Sequence, residues 1–284
     1  MIASISSSFS SPRLRKLALA MTALVALTLI AAALYQFAFV NPKFFSYAME
    51  LRAPRLIVML TAGFSISAAA IVFQTIIRNN IVTPCLLGMN SLYLLIHTAV
   101  VFFFGSGSQF ATNPVMAFAV DIVLMGVIAT FIYYSIFKKT GGNVLYVLLI
   151  GTVLSTFFSS MQNSLTRIMD PNEYDALLNT LVASFTNVNM ACIIPGILIL
   201  VLIALWLRKD IAILDIISLG RDQAISLGVD YERVLRRLMV GVALYIAVAT
   251  SLVGPLSFLG LITANVARQV FTTYRHTYLI AGAG

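Results

Sequence analysis

Residues 208–237 read RKDIAILDIISLGRDQAISLGVDYERVLRR. They are the one long polar interruption late in a chain that is otherwise one apolar run after another. They carry eleven of its charged residues, which number 18 basic and 10 acidic overall. Within them, 221–228 predicts a short helix: Asp222 can act as its N-cap, and Gly228 stands where a left-handed C-terminal cap falls. Asp230 can cap a second helix that runs through Leu238 into the next apolar run, with Glu232 at the positive end of its dipole. A capped helix between two apolar runs is more than a tether. It offers a rigid knob to something outside the membrane.

The composition sets the class. Hydrophobic residues make up 60% and charged residues 10%, against about 25% charged in a soluble domain. So little charge cannot cover a water-soluble fold, and the runs are continuously apolar rather than alternating. The expectation is an all-α, polytopic transmembrane helix bundle, not a β-barrel. The net charge of +8 lies between the apolar runs, which points to membrane orientation and lipid contact and not to nucleic acid. Cys85 and Cys192 have no metal-type spacing, so neither a metal nor another cofactor is expected.

Eight spans are predicted: 17–40, 56–77, 85–104, 114–137, 144–164, 190–207, 238–253 and 258–271. A Ser-rich tail covers 1–16, and 17–284 forms one transmembrane domain in which 208–237 is the polar loop. The first apolar run exceeds the ~7–15 residues of a signal-peptide core. The segment 41–55 is expected to be a loop. The stretch 176–185 is too short and polar to cross and predicts a surface or re-entrant helix. With the N-terminus inside, fourteen cations lie inside and only Lys43, Arg52, Arg55 and Arg167 outside, which favours that orientation and makes the 208–237 loop cytoplasmic.

Enzymatic signatures are missing: no His-Glu-x-x-His, no Gly-x-Ser-x-Gly and no phosphate-binding glycine loop occurs. His97 and Asp121 fall inside predicted spans, where an ionisable group is a functional candidate by default. They would serve a proton-driven carrier, or each would simply bond a neighbouring helix. Arg52 and Arg55 flank Pro54 at i and i+3, on one side of an expected helix start. They either snorkel to the interface or bind carboxylates of an external protein. The break at 254–260, GPLSFLG, is either a tight turn or a discontinuous element lining a path.

Taken in order, LRAPR at 51–55, FQTIIRNN at 73–80 with Pro84 and Leu87-Gly88, Leu219-Gly220, AISLGV at 224–229, GPLSFLGL at 254–261 and Ala267-Arg268 resemble the permease subunit of bacterial ABC importers for iron–siderophore complexes, haem and vitamin B12. The resemblance implies an inner-membrane permease of ten helices, dimerised with a second copy or a paralogue around a central path. It implies a separate ATP-binding subunit and a periplasmic or lipoprotein substrate-binding protein. Ala224, Ile225, Ser226, Leu227, Gly228 and Val229 match the family's ATPase-coupling helix. Arg52 and Arg55 match the arginines that dock the binding protein, and Gln74, Asn79 and Pro84 fall on the stretch that lines the path. Ala264-Asn265 stands where the family commonly has Pro-His, which resembles the branch serving catecholate siderophores. The chain ends about where a ninth span is expected, so two further spans are implied beyond it.

Overall fold

The computed structural model describes residues 12–140, 144–186, 188–271, 273 and 275–283. The order is α1 (Pro12–Phe37), a 3-10 turn (Pro42–Phe44), α2 (Phe45–Ile77), a second 3-10 turn (Pro84–Leu87), α3 (Met89–Phe104), α4 (Gln109–Thr112), α5 (Pro114–Thr140) and α6 (Val144–Ile168). It continues with α7 (Pro171–Leu181), α8 (Met190–Ile217), α9 (Arg221–Ser226), α10 (Tyr231–Val253), α11 (Leu259–Val270) and α12 (His276–Ala283). Among the described residues there is no strand, as the expected all-α bundle requires.

Of the eight predicted spans, six correspond to helices long and apolar enough to cross a membrane: α1, α2, α5, α6, α8 and α10. The other two are shorter. Cys85 falls in a 3-10 turn and Gly88 turns left-handed at φ 101°, so the third span starts only at Met89. α11 has 12 residues, against the ~20 a full crossing needs. Three boundaries also move. The expected loop 41–55 is largely helical, because α2 begins at Phe45 and passes through Pro54, which removes one backbone bond without ending the helix. The expected tail 1–16 becomes helix from Pro12 onward, and its first eleven residues lie outside the described ones. Finally, 208–217 is not loop but the last turns of α8.

α2 and α10 form the centre. Ile66, Ile71 and Phe73 on α2 and Leu238, Ile246 and Ala249 on α10 are essentially sealed from the surface. α1, by contrast, buries nothing in its apolar window, and Leu19, Leu27 and Leu34 point outward. Arg52 ties it to α2, its Nη1 donating to the carbonyls of Tyr35 at 2.9 Å, Gln36 at 3.3 Å and Ala38 at 2.8 Å. The last carbonyls of a helix have no partner of their own and sit at its negative end, so a guanidinium there answers both needs.

The short surface helix forms as α7, five residues earlier than expected, because Asp170 accepts the Asn172 amide and Pro171 opens it. The chain after α7 then folds back, and the Ser184 amide donates to the Val253 carbonyl at 2.7 Å. Gly254, at φ 91°, sits so close that a Cβ would come within 2.8 Å of the Ala183 backbone. Gly254→Ala therefore meets both a left-handed backbone and a clash, and is expected to lose about 2 kcal/mol or more. Gly63→Ala meets open space in mid-helix and should be neutral or slightly stabilising. Thermal unfolding of the detergent-purified variants measures both; equal midpoints would contradict the packing described.

Candidate functional site

Two surfaces remain once the core is accounted for. The first is α9. It starts at Gly220, φ 114°, with no side-chain cap, so the expected N-cap role of Asp222 is not what forms: Asp222 lies inside the first turn, where its charge still favours the helix dipole. The C-terminal end does form as expected. Gly228, at φ 82°, donates to the Ile225 carbonyl at 2.9 Å, and Val229 donates to the Ala224 carbonyl at 3.0 Å. These two bonds are the Schellman closure, which satisfies carbonyls the helix would otherwise leave open. Asp230 then caps α10 by accepting the Arg233 amide at 3.2 Å.

Six residues of helix have little stability alone, so α9 is held by its surroundings. Ala224 is fully buried, while Ile225 is 50% and Leu227 62% exposed. Ser226 and Gly228 are exposed as well. Arg221 reaches Glu232 at 3.3 Å. Beneath α9, the end of α8 is pinned twice: Arg237 of α10 lies 3.8 Å from buried Asp210, and His276 approaches Asp215 with both its ring Nδ1, at 2.6 Å, and its backbone amide, at 3.0 Å. The result is a fixed platform carrying two bare apolar side chains.

The second surface is on α6 and was not singled out from the sequence, which read 144–164 only as a span. Thr152, Thr156, Ser160 and Asn163 are exposed along one side of this helix, with Ser155 and Ser159 half-buried beside them. Val153, Phe157 and Met161 lie along the adjacent exposed side. The threonine hydroxyls bond back to their own helix, Thr152 to Leu149 at 2.9 Å and Thr156 to Thr152 at 2.9 Å. Ser155 and Ser159 join Ser91 of α3 at 2.9 and 3.1 Å. Among the described residues nothing bonds the side chain of Ser160 or Asn163. An amide left bare in hydrocarbon costs several kcal/mol, so this face meets water or a polar partner. The signal was present as hydroxyl and amide residues recurring three and four apart through an apolar run.

The other expected positions are distributed as follows. Gln74 is fully buried and engaged at both ends: its Nε2 donates to the Asn80 carbonyl at 2.9 Å, and its Oε1 accepts from Arg268 Nη2 at 3.4 Å. Asn265 donates to that same Asn80 carbonyl at 3.1 Å. Asn79 closes its own turn by accepting the Ile81 amide at 2.8 Å. Pro84 is buried, and its carbonyl accepts from Tyr133 at 3.0 Å. These residues shape and tie the turn after α2; Gln74 and Pro84 face no open surface. Arg52 is engaged with α1, while Arg55, half-buried, has no ion pair among the described residues.

His97 and Asp121 meet across α3 and α5, 3.0 Å apart. They lie in the wall of a cavity of about 320 Å³ that Tyr93, Phe118, Asn189 and Ser251 also line.

A sequence model of the FecCD transport family matches residues 16–284. The petrobactin import system permease protein YclO of Bacillus subtilis is 37% identical over 237 residues, covering 84% of this chain and 75% of that protein. The petrobactin import system permease protein FatC of Bacillus anthracis is 31% identical over 242 residues, covering 84% and 67%. A solved metal-chelate type ABC transporter in an inward-facing conformation superposes with a TM-score of 0.75 at 21% identity, over 94% of this chain and 85% of that one. That likeness carries the fold, and the match over nearly the whole sequence carries the kinship: the chain belongs to the FecCD transport family.

Proposed function

We propose that this chain is the permease subunit of a bacterial ABC importer for ferric siderophore, seated in the cytoplasmic (inner) membrane with its N-terminus inside. The carrying observation is α9: a glycine-closed helix presenting Ile225 and Leu227 from a pinned platform, in a chain that has no nucleotide-binding motif. Exposed apolar side chains on a rigid polar loop fit a groove on a protein partner, and a family of ABC permeases makes that partner an ATP-binding subunit. The two petrobactin import permeases described above support siderophore over haem or vitamin B12 as the cargo.

In this reading ATP binding draws two ATP-binding subunits together, the seated α9 helices move with them, and the bundle switches between outward and inward openings. The cargo passes along the polar face of α6, at the interface with a second permease copy or paralogue. Gln74, Asn79 and Pro84 shape the turn after α2 and act on the path through that turn. Arg55, together with whatever donors Arg52 has left after capping α1, offers the docking point for acidic residues of a substrate-binding protein. Ala264-Asn265 keeps its resemblance to the catecholate branch, and Asn265 itself bonds the carbonyls of Asn80 and Leu261. The proton-driven alternative would need several titratable groups in series; His97 and Asp121 are instead satisfied by each other, as a tie between α3 and α5.

Leu227→Asp combined with Gly228→Arg should abolish co-purification of the ATP-binding subunit and lower uptake by about tenfold or more; persistence of both would refute the coupling role. Ser160→Trp should block uptake while the ATP-binding subunit still co-purifies, whereas Met161→Trp, on the neighbouring side of α6, should leave uptake within about twofold of the parent. Equal effects of the two tryptophans, read by labelled-chelate uptake in reconstituted vesicles, would remove α6 as the path.

A further inference from the structure

α2 ends in an unusual way. Its C-cap is Arg78 in the left-handed conformation at φ 55°, its amide bonded to the carbonyls of Gln74 and Thr75. Glycine is the ordinary residue there, since a side chain in that conformation costs about 1 kcal/mol. The side chain retained at that cost reaches the start of α9. A methyl group at Gly220 would come within 3.0 Å of Arg78 Nη1 and 3.7 Å of its Cζ, with Gln223 Oε1 3.6 Å from the same point. The guanidinium therefore rests directly against the Gly220 backbone. It is also near enough to Tyr231, the first residue of α10, to act on its phenol electrostatically, as Arg221 does.

The turn that carries Arg78 is fastened on its other side. The Asn80 carbonyl takes one bond from Gln74 of α2 and one from Asn265 of α11, and Arg268 of α11 bonds Gln74 in turn. A continuous set of short contacts thus runs from α9 through Arg78 and Asn80 to α11, the short helix that follows the break at Gly254. Helix α9 has only six residues, one of them buried. Gly220 lets it pivot, and Arg78 lies where that pivot would open.

We propose that Arg78 is a positioning residue that clamps the pivot at Gly220, so that displacement of α9 is passed to the 78–83 turn and on to α11. This rests on α9 being the surface that receives the ATP-binding subunit. Without the clamp, α9 would still seat in its partner but would swing about Gly220 and leave the bundle behind.

The test uses the assembled transporter, this chain with its ATP-binding subunit and binding protein, in proteoliposomes. Arg78→Ala should keep the ATP-binding subunit bound and keep basal ATP hydrolysis, while chelate taken up per ATP falls about tenfold. Arg78→Lys should restore part of that ratio. An unchanged ratio in Arg78→Ala would overturn the proposal. Loss of the ATP-binding subunit from Arg78→Ala would also overturn it, by making Arg78 part of docking. Leu227→Asp run alongside separates the two readings: if it fails to bind the ATP-binding subunit while Arg78→Ala behaves as the parent, only the clamp is wrong. A second measurement needs no loss of activity. With spin labels at Ile81→Cys and Asp222→Cys, both exposed, the distance should be the same with and without ATP when Arg78 is present, and should change with ATP in Arg78→Ala. A nucleotide-dependent change with Arg78 intact would overturn the clamp.

Discussion

Hydrocarbon offers a polypeptide no hydrogen-bond partners, and the form of this chain follows from that constraint. Helices satisfy themselves along their length, so the demand falls on their ends and breaks. Each end of consequence is closed by a particular group. Arg52 takes the carbonyls that end α1. Gln74 and Asn265 share the Asn80 carbonyl after α2. Tyr133 takes the carbonyl of Pro84, and the Ser184 amide takes that of Val253 where α10 stops. A protein in water could leave most of these groups to solvent.

The same closures position the working surfaces. The turn after α2 is tied to α11 through the Asn80 carbonyl, and Arg78 at its start rests against Gly220. The last turns of α8 leave the apolar zone as a helix, held to α10 and α12 through Asp210 and Asp215, and their end supports α9. The α6 face is the exception that carries meaning. Its Ser160 and Asn163 side chains, unbonded among the described residues, are tolerable only where water or a polar partner reaches them, so a feature that would be a defect on a lipid-facing helix marks a polar contact surface.

The helical bundle was legible because apolar runs are long and their polar interruptions short. The closure of α9 was legible too, since Gly228 and Asp230 each have a local reason to sit where they do. The misreadings share one cause. Residues 41–55 and 208–217 look like loops because they carry charge, yet Arg52 closes the end of α1 and Asp210, inside α8, pairs with α10, and only their distant partners, the end of α1 and Arg237, show it. Residue type favours Asp222 as an N-cap, but the turn is made by Gly220, one residue before the helix. That Gln74 is bonded at both ends depends on Asn80 and Arg268, one of them nearly two hundred positions away. The α6 face is hard to see in sequence because it carries no charge and is made of hydroxyls and amides, which a membrane helix also tolerates when they bond their own backbone.

Everything functional here depends on α9 being the point where nucleotide-driven motion enters the bundle. The most direct measurement places a photo-activated cross-linker at Ile225, and separately at Lys139, which is also exposed, in cells making the whole transporter. The account predicts that the adduct from position 225 contains the ATP-binding subunit and that its yield changes when ATP is depleted. Adducts to that subunit from position 139 and none from position 225 would contradict it.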